Sequence, residues 1–377
     1  MGVKTGMPVT GKDFYKSQLF YVELLHKKLS ESEFGAVYLL GPRRIGKTSI
    51  VQEYFRQRRN DKSDLTLYVY VYCSNVKNVL GFYRNLNTEF FNTLKAAHKL
   101  PKYRRILPSL ASVRKKFVEF GNRITSLLKE IKLGWIKIGL CEQDMRQKYE
   151  SELEKTFEVF LDLLISCKTE RVVFGFDEVP EAFQKILKNS PEYGKDEINT
   201  WLEHFRMLRH KGHKDIKIGT ILFGSVNMRM TLERLGITKA INDSNSMSVG
   251  YMPFRNVKGL FWKLARSEDL KDLIDGKNEV NDFLKKNLSP TSPWAVHVFL
   301  DECKNTVQET FDSIKERLIA VYYRVLDNQH GPKYTKERFK NYYTTDEITR
   351  VIVILRTIVR LQIVPIQNYL SRCNRYI

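Results

Sequence analysis

The chain has 377 residues, 42% of them hydrophobic and 28% charged, with a formal net charge of +20. That balance fits a soluble globular chain of two or three domains and argues against disorder. No run reaches the roughly 18–20 apolar residues of a membrane span; even residues 351–365 are cut by Arg356 and Arg360. Five scattered cysteines (Cys73, Cys141, Cys167, Cys303 and Cys373) suit reduced thiols and give no zinc-ligand spacing. The first residues carry neither a signal-peptide pattern nor the Ser/Thr of a myristoylation site, so a cytoplasmic location with no membrane partner is expected.

In chain order, residues 1–35 read as a lead-in helix and turn, and the apolar run 36–40 (Ala-Val-Tyr-Leu-Leu) as a buried parallel strand. Gly41, Pro42, Arg43, Arg44, Ile45, Gly46, Lys47, Thr48 and Ser49 then satisfy G-x-x-x-x-G-K-[ST], the Walker A pattern, and a helix can continue from Thr48. Strand, loop and helix in that order are the context the pattern requires. The glycines let successive N–H groups face phosphate oxygens at a helix N-terminus, whose partial positive charge adds to the attraction. Lys47 supplies a point charge for the β- and γ-phosphates of ATP, and Thr48 a hydroxyl for Mg2+.

Residues 65–73 alternate as a second strand, and 79–98 form a helix with Phe82, Leu86, Phe90 and Leu94 on one face. The block 99–140 then carries eleven Lys or Arg against two acids, a net +9 of the chain's +20. Within it, Ile131-Lys132-Leu133 and Ile136-Lys137-Ile138 flank Gly134-Trp135 and predict a basic hairpin with an aromatic tip. Such a hairpin suits a phosphate backbone, a protein partner or a solvated insertion, and all three readings stay open. An amphipathic helix over 150–167 leads into residues 171–178, an apolar strand ending in Asp177 and Glu178. This is a Walker B pattern, with Asp177 holding the magnesium shell and Glu178 orienting and deprotonating the attacking water.

Arg206 and Arg209, on a helix over 197–209, are candidates for an arginine finger or for an ordinary solvated helix face. His204, His210 and His213 beside Lys211 and Lys214 read as a solvated basic helix terminus rather than a metal site. A further strand over 216–223 runs into Gly224-Ser225, where Ser225 is either a γ-phosphate sensor or a cap for the next helix. The fifth strand falls at 246–251, and residues 254–273 open a series of helices reaching to about 325. Further on, Thr345-Asp346-Glu347 caps an apolar helix over 348–361.

Together, the P-loop, Phe174-Gly175-Phe176-Asp177-Glu178-Val179-Pro180, Leu222-Phe223-Gly224-Ser225 and Ile241-Asn242-Asp243 resemble the archaeal-type ATPases, in the STAND branch of the AAA+-like P-loop ATPases. The resemblance covers roughly residues 14–330. It implies an α/β P-loop NTPase fold with a five-stranded parallel sheet of order 5-1-4-3-2, a helical lid, and often a C-terminal winged helix. Residues 348–361 would begin that winged helix, reduced or truncated given the short tail. An extra hairpin in the insertion is also common in the family. Relatives show an Arg shortly before a Glu upstream of the P-loop, whereas this chain keeps Glu23 but has Phe20, and the lid Gly-x-Pro becomes Thr291-Ser292-Pro293. Pro293 is the expected contact to the base.

The organisation expected is an ATPase domain over 1–255 carrying the basic insertion at about 99–140, a lid over 256–325, and a C-terminal helical or partial winged-helix region over 326–377. Lys47, Asp177, Glu178 and Ser225 would carry catalysis, with ATP and Mg2+ as cofactors and Thr48 and Asp177 as metal ligands. The expected function is a switch that couples nucleotide state to a protein partner or to self-assembly. The alternative is an ATP-dependent nucleic-acid motor or loader that grips the backbone through the insertion and the C-terminal region.

Overall fold

The computed structural model describes residues 7–31, 35–104, 106–137, 142–210, 216–224, 228–238, 242, 244–288, 291–306, 309, 311–330 and 349–350. By internal contacts the chain divides into two compact units, Met1–Lys304 and Asn305–Ile377.

The first unit is built on a parallel sheet of β1 (Ala36–Leu40), β2 (Leu67–Tyr72), β3 (Arg171–Asp177), β4 (Lys217–Leu222) and β5 (Asn245–Ser248), in the order β2-β3-β4-β1-β5. This is the expected order, with β4 lying between the P-loop strand and the Walker B strand. Registers such as Val37↔Ile221, Phe174↔Thr220 and Tyr70↔Gly175 bring the C-terminal ends of β1 and β3 to one edge. Ligand sites in open α/β sheets form at that edge. β1, β3 and β4 are buried on both faces and read as near-continuous apolar runs, as parallel strands do, whereas the edge strand β5 is polar and exposed apart from Met247.

One face is covered by α1 (Leu19–Glu31) and α2 (Lys47–Asn60), whose Leu25, Ile50, Val51 and Phe55 pack with Val37, Leu39, Val173 and Ile221. The other is covered by α3 (Val79–His98), α4 (Leu110–Lys137), α5 (Glu142–Ser166), α6 (Val179–Asn189), α7 (Gly194–His210) and α8 (Met228–Leu235). Alternation along β3 sends Val173 to the first core and Phe174 and Phe176 to the second. An aromatic cluster fills that second core: Phe82 lies 4.4 Å from Trp201 and 5.4 Å from Phe176, and Phe90 lies 5.5 Å from Phe117, centroid to centroid.

The basic insertion differs from the expectation, because residues 131–137 continue α4 and no hairpin forms there. The residues that decide this are upstream. Val113, Phe117, Phe120, Ile124 and Leu127 recur at steps of three and four, all are buried, and they pack against α3 and α5. A helix already anchored over that length carries a short alternating segment with it, since extending a helix is far easier than ending it and nucleating a strand pair.

After β5 come α9 (Phe254–Ser267), α10 (Lys271–Asp275), α11 (Lys277–Asn287) and α12 (Pro293–Asn305). They begin the expected series of helices, with Asp269 in the left-handed region at φ 54° between α9 and α10. Tyr15 ties the segment before α1 to α9, its hydroxyl donating to the Asn256 carbonyl at 2.8 Å.

In the second unit, α13 (Ile314–His330) places Leu318 and Val321 in the interior, and Arg324 makes two bonds of 2.6 Å to Glu309. The helix expected over 348–361, and with it the winged-helix reading, lies outside the described residues apart from residues 349–350. Among the described residues no helix is long and apolar enough to cross a membrane. Cys73, Cys167 and Cys303 are buried and form no disulfide, and Cys141 and Cys373 lie outside the described residues.

Candidate functional site

The loop between β1 and α2 has the shape its sequence requires. Gly41 sits at φ 147° and Gly46 at φ 102°, where a side chain is strained, and a Cβ on Gly41 would lie 2.5 Å from the Val249 carbonyl oxygen. Arg44 also adopts the left-handed region at φ 62°. Ile45 is fully buried and anchors the loop in the core beneath α2. Lys47 folds back over the loop, its Nζ donating to the carbonyls of Gly41 and Pro42 at 2.7 Å each. Burial lowers its pKa from 10.5 to about 8, against the opposing pull of Glu178 and Asp177.

Asp177 ends β3 directly across from α2. The Thr48 hydroxyl donates to its Oδ2 at 2.8 Å, and the Glu178 N–H donates to its Oδ1 at 2.8 Å. Burial, the largest influence, raises the Asp177 pKa to about 6 despite bonds from Tyr70 and Thr48. A carboxylate and a hydroxyl are hard oxygen donors of the kind Mg2+ takes, and a buried carboxylate lifted in this way gains from a nearby cation. Both residues fit the ion. Among the described residues no group of three or more His, Cys, Asp or Glu is placed to hold a metal.

Glu178 follows in a left-handed conformation, φ 55° and ψ 35°, at the N-terminus of α6. Such a backbone costs roughly 1–2 kcal/mol for a residue other than glycine and persists where its surroundings fix it. Here the Val179 N–H donates to the Phe223 carbonyl at 3.1 Å and the Phe223 N–H to that of Phe176 at 3.0 Å. Gly224 allows the close approach: a Cβ there would lie 2.5 Å from Pro180 Cδ and 3.2 Å from Glu178 Cα. Ser225 lies outside the described residues.

These groups open into a cavity of about 400 Å³ lined by Arg43, Arg44, Gly46, Lys47, Thr48, Ser49, Asp177, Glu178, Gly224 and Pro293. Gly41, Pro42 and Ile45 shape the loop from behind. Sequence reasoning missed one further wall and named only Pro293 of another. The segment before α1 supplies Met7, Pro8, Val9, Phe14, Tyr15 and Gln18. It is stitched to the P-loop region by Val9 N–H to Ser49 Oγ at 3.0 Å, Gly11 N–H to Glu53 Oε2 at 2.7 Å and Gln18 Nε2 to the Ile45 carbonyl at 3.1 Å. The start of α12 adds Trp294 and His297 on the face that carries Pro293, and the Arg44 guanidinium lies 3.7 Å from the Trp294 ring centroid. Pro293, expected as a contact to the base, was the available signal for the second wall, and nothing local in the sequence marked the first.

Other candidates fall elsewhere. Arg209 turns inward, Nη1 donating to Thr220 Oγ1 on β4 at 3.4 Å. Arg206 pairs with Glu203 at 3.5 Å. His204 departs from the solvated-terminus reading: it is buried, stacks on Phe157 at 4.3 Å and hydrogen-bonds Tyr83 at 2.8 Å and Glu154 at 3.1 Å. The side chains of His210 and His213 lie outside the described residues.

No family model and no curated protein matches the chain. Solved structures similar to it include the Aeropyrum pernix ORC2 protein in ADPNP-ADP complexes, at TM-score 0.45 and 12% identity over 85% of this chain and 71% of that one. The ADP form of that protein gives 0.42 and 12% over 85% and 70%. Domain III of the Thermotoga maritima replication initiation protein DnaA gives 0.39 and 13% over 84% and 95%.

Proposed function

We propose that this chain is a magnesium-dependent ATPase of the P-loop class. The observation that carries the proposal is the meeting of Thr48 and Asp177 at 2.8 Å beneath Lys47, with Glu178 fixed next to them at the mouth of one cavity. On binding, Lys47 would exchange the Gly41 and Pro42 carbonyls for the β- and γ-phosphates, while the P-loop N–H groups cradle the anion. Thr48 and Asp177 would hold Mg2+, which when bound neutralises charge on the β- and γ-oxygens. Glu178 would orient the attacking water and take its proton. Ser225 is proposed as the γ-phosphate sensor, and Pro293 as a contact to the base. Membership of the STAND branch, a cytoplasmic location, and the division of labour among residues 1–255, 256–325 and 326–377 belong to the same proposal.

Of the two couplings, we favour the nucleic-acid motor or loader over the protein-coupled switch. The specific observation is the exposed basic surface of the insertion. Lys102 and Arg123 are committed to the fold, bonding the Asp61 and Asp64 carbonyls and Glu152, but Lys99, Arg104, Arg114, Lys115, Lys116 and Lys129 are exposed. Proteins that grip phosphate backbones carry such surfaces, and one of the similar structures is a replication initiation protein; the preference rests on the charge and not on that likeness. Reversing Arg114, Lys115 and Lys116 to Glu should cut affinity for single- and double-stranded DNA. It should also flatten the dependence on salt by about one unit of log–log slope for each phosphate that is no longer neutralised. Equal, salt-independent affinity in both proteins would return the choice to the protein-coupled switch.

A further inference from the structure

Asp177 is held from the edge of the sheet as well as from the P-loop. The hydroxyl of Tyr70, on β2, donates to Asp177 Oδ2 at 2.7 Å. That oxygen also takes the Thr48 hydroxyl at 2.8 Å, while Oδ1 takes the Glu178 N–H at 2.8 Å. The strand register places Tyr70 beside Gly175, two residues before Asp177, and the ring packs at 6.5 Å from Phe223, which follows β4. The Gln52 side chain hydrogen-bonds Tyr70 from α2. Gln52 lies one helical turn beyond Thr48, so both contacts come from the same face of α2. An ionised carboxylate only accepts, so the phenolic proton goes to Asp177 and the Gln52 amide donates to the phenolic oxygen.

The arrangement fixes the rotation of the carboxylate about Cβ–Cγ, with one donor on Oδ1 and two on Oδ2. Of the donors on Oδ2, Thr48 is also the hydroxyl that would turn an oxygen lone pair to a cation, whereas Tyr70 has no other task in the site. We infer that Tyr70 is a positioning residue that holds the Asp177 carboxylate in the orientation in which, together with Thr48, it receives Mg2+. This inference rests on the proposed nucleotide site. Groups that orient a metal ligand through hydrogen bonds commonly change metal affinity by about 10- to 100-fold when removed.

Tyr70→Phe keeps the ring and deletes the hydroxyl. The experiment is a Mg2+ titration of fluorescently labelled ATP binding, run beside the same binding in EDTA and a melting curve. The Mg2+ midpoint should rise about tenfold in Tyr70→Phe, with Mg-free nucleotide affinity and melting temperature near wild type. Gln52→Leu should shift the midpoint in the same direction by less, and it decides the matter if Tyr70→Phe does not fold. A wild-type Mg2+ midpoint in both variants would overturn the positioning role. So would an equal loss of Mg-free binding, which marks Tyr70 as packing alone. If the wild-type protein itself bound no nucleotide, the failure would lie with the nucleotide site and not with Tyr70.

Discussion

Lys47→Met should make the nucleotide-free protein more stable while abolishing its response to ATP. Lys47 is 6% exposed, and burial brings its pKa from 10.5 to about 8. At 1.36 kcal/mol per pKa unit, that gap corresponds to about 3 kcal/mol of unfavourable energy carried by the charged lysine at pH 7. The bonds to the Gly41 and Pro42 carbonyls are lost as well, but both residues are half-buried and water can replace the ammonium there, at a net cost of about 1 kcal/mol. Methionine keeps most of the stem, so repacking should cost under about 1.5 kcal/mol, leaving a net gain of about 0.5–2 kcal/mol. The sign with pH is definite. Between pH 8 and 10.5 the unfolded chain holds this proton and the native chain does not, so wild-type stability rises through that window. The cost of Lys47 is therefore fully present below pH 8 and gone above 10.5, and the variant lacks the rise. Urea unfolding of both proteins at about pH 7 and about pH 10, with and without Mg-ATP, reads all three expectations. A variant less stable than wild type at neutral pH, or one with the same change between the two pH values, would refute the reasoning.

Two further substitutions probe the geometry around the site. Gly224→Ala drives a Cβ to within 2.5 Å of Pro180 Cδ and displaces the backbone that sets Glu178; kcat should fall by about tenfold or more with nucleotide affinity kept, and unchanged kcat would count against Glu178 as the base. Arg44→Ala removes the guanidinium 3.7 Å from the Trp294 ring, an interaction worth roughly 0.5–2 kcal/mol. Its expected outcome is a lower melting temperature and altered tryptophan emission. Emission identical to wild type would show that the P-loop and the start of α12 do not meet in solution.

Much of the P-loop core was legible because its signals are local. The P-loop needs particular residues at particular spacing, the Walker B strand is one apolar run with its carboxylates at the end, and the sheet order is the one the family resemblance implies. What escaped the sequence depends on residues far apart in the chain. The alternation at 131–138 misleads because so short a window suggests a strand pair, whereas the buried stripe from Val113 to Leu127 shows the helix that carries it. The wall made by Met7, Pro8 and Val9 was invisible because its bonds run to Ser49 and Glu53, some 40 residues away. Tyr70 looks like one more aromatic in an alternating strand until the register sets it beside Gly175, from where its hydroxyl reaches Asp177. His204 sits in a polar, basic stretch of sequence, and only the packing of α5 against α7 turns it inward.

Steady-state ATP hydrolysis by wild type and Glu178→Gln, each with and without DNA at low and high salt, tests the central claim most directly. Wild type should hydrolyse ATP, with DNA stimulating it in low salt, and Glu178→Gln should bind labelled ATP normally but turn it over about 10²- to 10⁴-fold more slowly. Hydrolysis at the wild-type rate by Glu178→Gln would contradict the assignment of the base, and no hydrolysis by wild type under any of these conditions would contradict the ATPase itself.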